Sequence, residues 1–140
     1  MKKTFHLIAN AHLDPVWLWD WREGLNEGII TSRTILDLMD EIDDLTCIRG
    51  EAVVYQHIEK YDPKTFARIK KYVAEGRWDI VGGTHVQPDM NLTGTETMGV
   101  IFSGPNSIFT HALTRTSPWP GRRTRSDTAP ACRRFWYRPV

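Results

Sequence analysis

With 140 residues, 41% of them hydrophobic and 25% charged, the chain has the composition of one soluble globular domain with a core of its own. No apolar run approaches the roughly 18 residues that a membrane-spanning helix needs, and Cys47 and Cys132 lie too far apart in sequence for a CxxC site. The net charge of +1 conceals a break, because residues 1–102 hold 11 Lys+Arg against 16 Asp+Glu while residues 103–140 hold seven Arg against Asp127 alone.

The opening MKKTFHLIANAHLDP is basic, but His6, Asn10 and His12 interrupt its apolar run, so no secretory leader is expected. Two unpaired thiols then fit a reducing, cytoplasmic location. Residues 4–10, TFHLIAN, alternate as a first strand does. From Asp20 to Met39 the spacing turns helical: Leu25, Ile29, Ser32, Leu36 and Met39 share one face, flanked by Ile35 and Leu38. LTCIRGE (45–51) is a short second strand, and residues 51–61 form a helix with Val54, His57 and Ile58 on one side. Asp62 caps the next helix, Pro63 opens it and Gly76 sits just past its end. Its buried stripe is Phe66, Ile69 and Val73, with Tyr72 beside them. RWDIVGG (77–83) is a third strand, and THVQPDMNLTGTE is the loop that leaves it. This alternation, without internal repeats, predicts βα units around a parallel sheet, an α/β fold. Loops leaving the carboxyl ends of parallel strands gather on one rim, where such folds place their sites.

Two of those loops carry candidate chemistry. His12 and Asp14 stand two positions apart, so in extended backbone both side chains point the same way. An imidazole nitrogen and a carboxylate oxygen are both zinc donors, at about 2.0–2.2 Å. Pro15 fixes its own φ and pushes Asp14 toward extended backbone. Taken alone, the pair reads first as a solvated loop and second as two metal ligands. Trp17 offers an apolar platform for a sugar face, whereas Trp19 and Trp21 are as compatible with core packing. In the matching loop Asp89 follows Pro88, and it is a turn aspartate, a third oxygen ligand or a nucleophile. His85 is open to two readings, a fourth ligand or a hydrogen-bonding neighbour of the ligands.

Three blocks, ANAHLDPVWLWDWREG, IRGEAVVYQHIEKYDPKTFARIKKYVAEGRWDIVGG and VQPDMNLTGTETM, resemble in order and spacing the amino-terminal catalytic domain of glycoside hydrolase family 38 α-mannosidases. The resemblance covers about residues 4–98. It implies a partial βα barrel-like glycosidase domain over residues 1–102. It also implies one Zn²⁺ held by His12, Asp14 and Asp89, with Trp17 under the bound mannose and Asp89 as catalytic nucleophile. Thr84 stands where family members often carry tryptophan, which leaves the pocket wall unassigned. The implied reaction is retaining hydrolysis of an α-mannoside, with a covalent glycosyl-enzyme on Asp89 and a second carboxylic acid as proton donor. The expected partner is an α-mannoside oligosaccharide, with no membrane and no nucleic acid. The oligomeric state of the intact enzyme, a homo-oligomer or not, is left open.

The family's acid/base aspartate, its fourth zinc ligand (a histidine) and a DSFGH…LPQIL-like block have no counterpart in frame. Joining the last base of each codon to the first two of the next nevertheless recovers that block. Asp127–Thr128 allows only His or Tyr, Phe135–Trp136 forces Leu and Trp136–Tyr137 forces Val, and a shifted frame over residues 123–137 accommodates DSFGHxxGLPQILV without conflict. Residues 103–140 are therefore expected to be a basic, disordered, out-of-frame tail after a frame change near residues 99–110, and the chain an inactive fragment. Two other readings compete with the mannosidase. One is a zinc-dependent carbohydrate deacetylase. The other is a basic nucleic-acid-binding module whose tail arginines lie near Trp119, Phe135, Trp136 and Tyr137.

Overall fold

The structure, a computed structural model, describes residues 3, 5, 7–81, 84–89, 91–103 and 108. The tail expected to be disordered lies outside the described residues except at Ser103 and Ile108, as do Gly82 and Gly83 of the expected third strand. The element order is β1 (Ala9–Asn10), α1 (Trp21–Glu41), β2 (Cys47–Arg49), α2 (Ala52–Tyr61), α3 (Pro63–Glu75), β3 (Trp78–Ile80) and α4 (Thr95–Ser103). The fold is α/β, as expected. The strands are shorter than the sequence suggests, and α4 begins within the segment read as loop.

The three strands form one parallel sheet in the order β1-β2-β3. Ala9 is opposite Cys47, and Cys47 is opposite Trp78. Alternation along β2 sends Cys47 and Arg49 into the core and leaves Ile48 half-buried on the other face. Arg49 O, at the carboxyl end of β2, accepts from Val81 N at 3.2 Å and from the Tyr55 hydroxyl at 3.1 Å. Trp78 Nε1 in turn donates to Tyr55 Oη at 2.9 Å. Burial pushes the Tyr55 phenol well above its usual range, so this hydroxyl stays a donor at any working pH.

The helices carry the faces their spacing predicts. On α1 Leu25, Ile29, Ser32, Leu36 and Met39 are all buried. On α3 the buried set is Phe66, Ile69, Tyr72 and Val73, joined by Thr65. Both pack with Val54, Tyr55 and Ile58 of α2 and with Cys47 and Trp78 of the sheet into one core. Asp20 caps α1 by accepting from Arg22 N at 2.8 Å, and Asp62 caps α3 by accepting from Thr65 N at 3.3 Å. Gly76 closes α3 at φ 80°, left-handed backbone that glycine takes without strain. No basic residue lies in the last turn of α1. Arg77 supplies the missing donors from outside, reaching the carbonyls of Met39 at 2.8 Å, Ile42 at 2.5 Å and Leu45 at 3.3 Å.

Candidate metal-binding site

The loop after β1 is fitted onto the start of α1. Pro15 is buried, and a Cβ on Gly24 would collide with the Pro15 carbonyl and come within 2.7 Å of Trp19 Nε1. One turn later a Cβ on Gly28 would meet Val54 Cγ1 at 2.9 Å and Leu13 Cδ2 at 3.4 Å. Two glycines at i and i+4 thus open a groove on α1 into which HLDPVW settles. Trp19 Nε1 closes the loop by donating to Asp14 O at 3.1 Å, which gives that tryptophan a structural task. Trp21 takes the Arg22 guanidinium over its ring at 4.4 Å. Trp17 remains 66% exposed, free to receive the apolar face of a ligand.

This placement brings His12 and Asp14 together, with His12 Nε2 3.3 Å from Asp14 Oδ1. On its other side His12 Nδ1 lies 3.2 Å from Glu51 Oε1. Glu51 leaves the end of β2 at the N-cap position of α2, yet its side chain makes no cap hydrogen bond, because it turns to His12. Behind it Arg49, 1% exposed, stands 3.7 Å from Glu51 Oε2 and donates from Nη1 to Ser32 Oγ at 3.3 Å. Ser32 Oγ donates to Gly28 O at 2.7 Å, so the series returns to the helix that holds the loop. Among the described residues Arg49 Nε, Arg49 Nη2 and Glu51 Oε2 take no hydrogen bond. The carboxylate and guanidinium therefore interact chiefly as charges.

The third loop docks beside them through its backbone. Thr84 O and His85 O accept from Ala52 N and Val53 N, each at 3.1 Å, which satisfies two of the free amides at the start of α2. His85 N donates to Ile101 O of α4 at 3.1 Å. Asp89 lies farther along, exposed, in a turn of its own making. Its Oδ1 accepts from Asn91 N at 3.0 Å, and its carbonyl accepts from Leu92 N and Thr93 N at 3.2 Å. Both loops leave the same rim, but β2 stands between β1 and β3, a separation of about 10 Å at two strand spacings. Among the described residues no group of three His, Cys, Asp or Glu is placed to hold a metal ion, so Asp89 does not join His12 and Asp14 as a third donor in this arrangement.

The pair itself fits zinc. Donors about 2.0 Å from a tetrahedral ion stand about 3.3 Å apart, the separation found between His12 Nε2 and Asp14 Oδ1. Nothing in the local spacing of the sequence ties Glu51 to His12. Its signal is a carboxylate just after the strand that neighbours β1.

The family described as "Glycosyl hydrolases family 38 N-terminal domain" matches residues 2–114. The chain belongs to that family. Alpha-mannosidase 2C1 of Mus musculus and its Homo sapiens counterpart are each 28% identical to it over 95 residues, 68% of this chain and 9% of theirs. An alpha-mannosidase of Saccharomyces cerevisiae is 24% identical over 92 residues, 65% of this chain and 8% of its own. The chain thus spans about 9% of the length of the first of these relatives. Its matched segment includes both candidate loops and passes the composition break at residue 102.

Proposed function

We propose that the loops after β1 and β3 belong to the sugar site of a zinc-dependent retaining α-mannosidase. One observation carries the reading: His12 stands between two carboxylates. With its Nδ1–H given to Glu51, Nε2 and Asp14 Oδ1 present lone pairs to the same space, an arrangement suited to a cation between them. His12 Nε2 and Asp14 Oδ1 would hold the zinc, which would supply a positive charge to polarise and orient bound sugar hydroxyls. Trp17 offers its exposed face to the apolar side of the sugar ring. Asp89 is the assigned nucleophile and third donor. Its exposure, its place on the same rim and the α-mannosidase relatives support the assignment. Attack by its carboxylate on the anomeric carbon forms the glycosyl-enzyme, while a separate acid protonates the departing oxygen. Among the described residues no helix is long and apolar enough to cross a membrane, and a buried free thiol at Cys47 accords with a cytoplasmic location.

Zinc titration of the metal-stripped chain tests the first step. His12→Ala and Asp14→Ala should each weaken binding at least about tenfold, and unchanged binding in both refutes the site. For the second step, a fluorinated mannoside applied to a frame-restored protein should label Asp89, whereas a deacetylase would form no such adduct. We also infer from the codon reading that the arginine-rich tail is out of frame. DNA sequence across codons 95–115 decides that point, because an uninterrupted reading incompatible with the shifted block rejects it.

A further inference from the structure

We propose that Glu51, backed by Arg49, is a positioning residue that sets the tautomer of His12. The inference rests on the zinc reading only for its purpose, since the geometry itself is metal-free. His12 has a carboxylate beside each ring nitrogen, Glu51 Oε1 at 3.2 Å from Nδ1 and Asp14 Oδ1 at 3.3 Å from Nε2. A neutral imidazole carries one N–H and can donate to only one of them.

The two carboxylates are not equivalent. The Asp14 side chain is 42% exposed and can take its hydrogen bonds from water. That of Glu51 is 10% exposed, and its other oxygen takes no hydrogen bond among the described residues. A buried carboxylate that loses a donor bears the full desolvation penalty, whereas an exposed one exchanges the donor for solvent. The proton therefore belongs on Nδ1, facing Glu51. Nε2 is left with its lone pair on the side of Asp14, where a metal ligand needs it. Carboxylates that orient metal-binding histidines in this way hold the ring as well as the tautomer.

Arg49 and Ser32 supply the rigidity. The Arg49 guanidinium, 3.7 Å from Glu51 Oε2, holds that carboxylate in place. Ser32 Oγ accepts from Arg49 Nη1 and donates to Gly28 O, so the ring is referred to α1, the helix that also seats the HLDPVW loop. His12, Asp14 and the floor beneath them thus share one mechanical reference.

Long-range ¹H–¹⁵N spectra of the full metal-free chain at about pH 9, above the ordinary histidine range, should show His12 protonated on Nδ1. Glu51→Ala should move the proton to Nε2, toward Asp14. Glu51→Gln, whose amide oxygen still accepts, should largely restore the Nδ1 form. Zinc affinity, read by chelator competition with Zn²⁺ alone, should fall about 10- to 100-fold in Glu51→Ala. Because removing Glu51 strands a buried guanidinium, the double change Arg49→Met with Glu51→Met provides a variant without an orphaned charge. It should show the same tautomer exchange. A wild-type chain that takes up no zinc but shows the exchange removes the metal reading and leaves the positioning role standing. A folded Glu51→Ala or double variant in which His12 keeps its Nδ1 proton overturns the proposal.

Discussion

Burial pushes the Cys47 thiol up to about 11, against a weaker downward pull from the Arg49 charge. The side chain is 1% exposed. Thiolate is the reactive form, and at pH 8 such a thiol holds about 100-fold less of it than an ordinary cysteine. In the native chain a disulfide reagent should therefore leave Cys47 unmodified long after a denatured control has reacted, as peptide mapping by mass spectrometry would show. Equal labelling rates before and after urea would contradict this packing. The same scale shows what a sequence conceals. His12 and Asp14 could be paired by counting, since they are two positions apart in extended backbone. Glu51 is 39 positions from His12, and no periodicity connects them. Only the β1–β2 register, Ala9 opposite Cys47, sets the end of β2 beside the loop after β1.

The helices were the most legible elements because their apolar residues follow a 3.6-residue period and their ends carry local punctuation. Asp62, Pro63 and Gly76 stand where capping chemistry requires them. Helix α4, TETMGVIFS, lacks such a pattern, with exposed Val100 beside half-buried Ile101, and only its first two residues fall within the segment read as loop. Two substitutions probe this level. Asp62→Ala removes the cap accepting from Thr65 N together with the Arg33 partner at 2.8 Å, and should cost about 1–2 kcal/mol in urea unfolding. Gly24→Ala runs against propensity. Alanine is favoured in a helix interior by about 1 kcal/mol, but here its Cβ would strike the backbone of Pro15, which cannot swing aside as a side chain can. The variant should be less stable than wild type by about 1–3 kcal/mol, as overpacked sites are. A gain in stability would show that the loop is not seated on α1.

Parallel pairing followed from the alternation of elements, but the register that sets the end of β2 beside the loop after β1 did not. Local patterns cannot carry this information, because strand placement depends on how helices pack across the whole sheet. One property does emerge at the scale of the whole molecule. The helices α1 and α3 are joined by a seam of carboxylates: Arg33 with Asp62, Arg68 with Asp37 and Asp40, and the Tyr72 hydroxyl with Asp40. The Tyr72 hydroxyl, and then Arg68, hold the Asp40 carboxyl below its usual value. Burial pulls Asp62 upward, but hydrogen bonds from Thr65 and Arg33 outweigh it and the net direction is also down. An unfolded aspartate titrates near about 3.9, so in both cases the folded chain releases the proton at lower pH than the unfolded chain does. Their stabilisation is complete above that ordinary value and is lost as pH falls through the lowered one. Asp40→Asn with Asp62→Asn keeps a capping side chain on α3 but removes both charges. At pH 7 this variant should melt below wild type. The gap in melting temperature should narrow as pH falls below the ordinary aspartate range and through the lowered values of Asp40 and Asp62, closing once both carboxyls are protonated in wild type. A gap that stays constant through that range would mean that the seam acts through shape and neutral hydrogen bonds, and that acid unfolds this domain elsewhere.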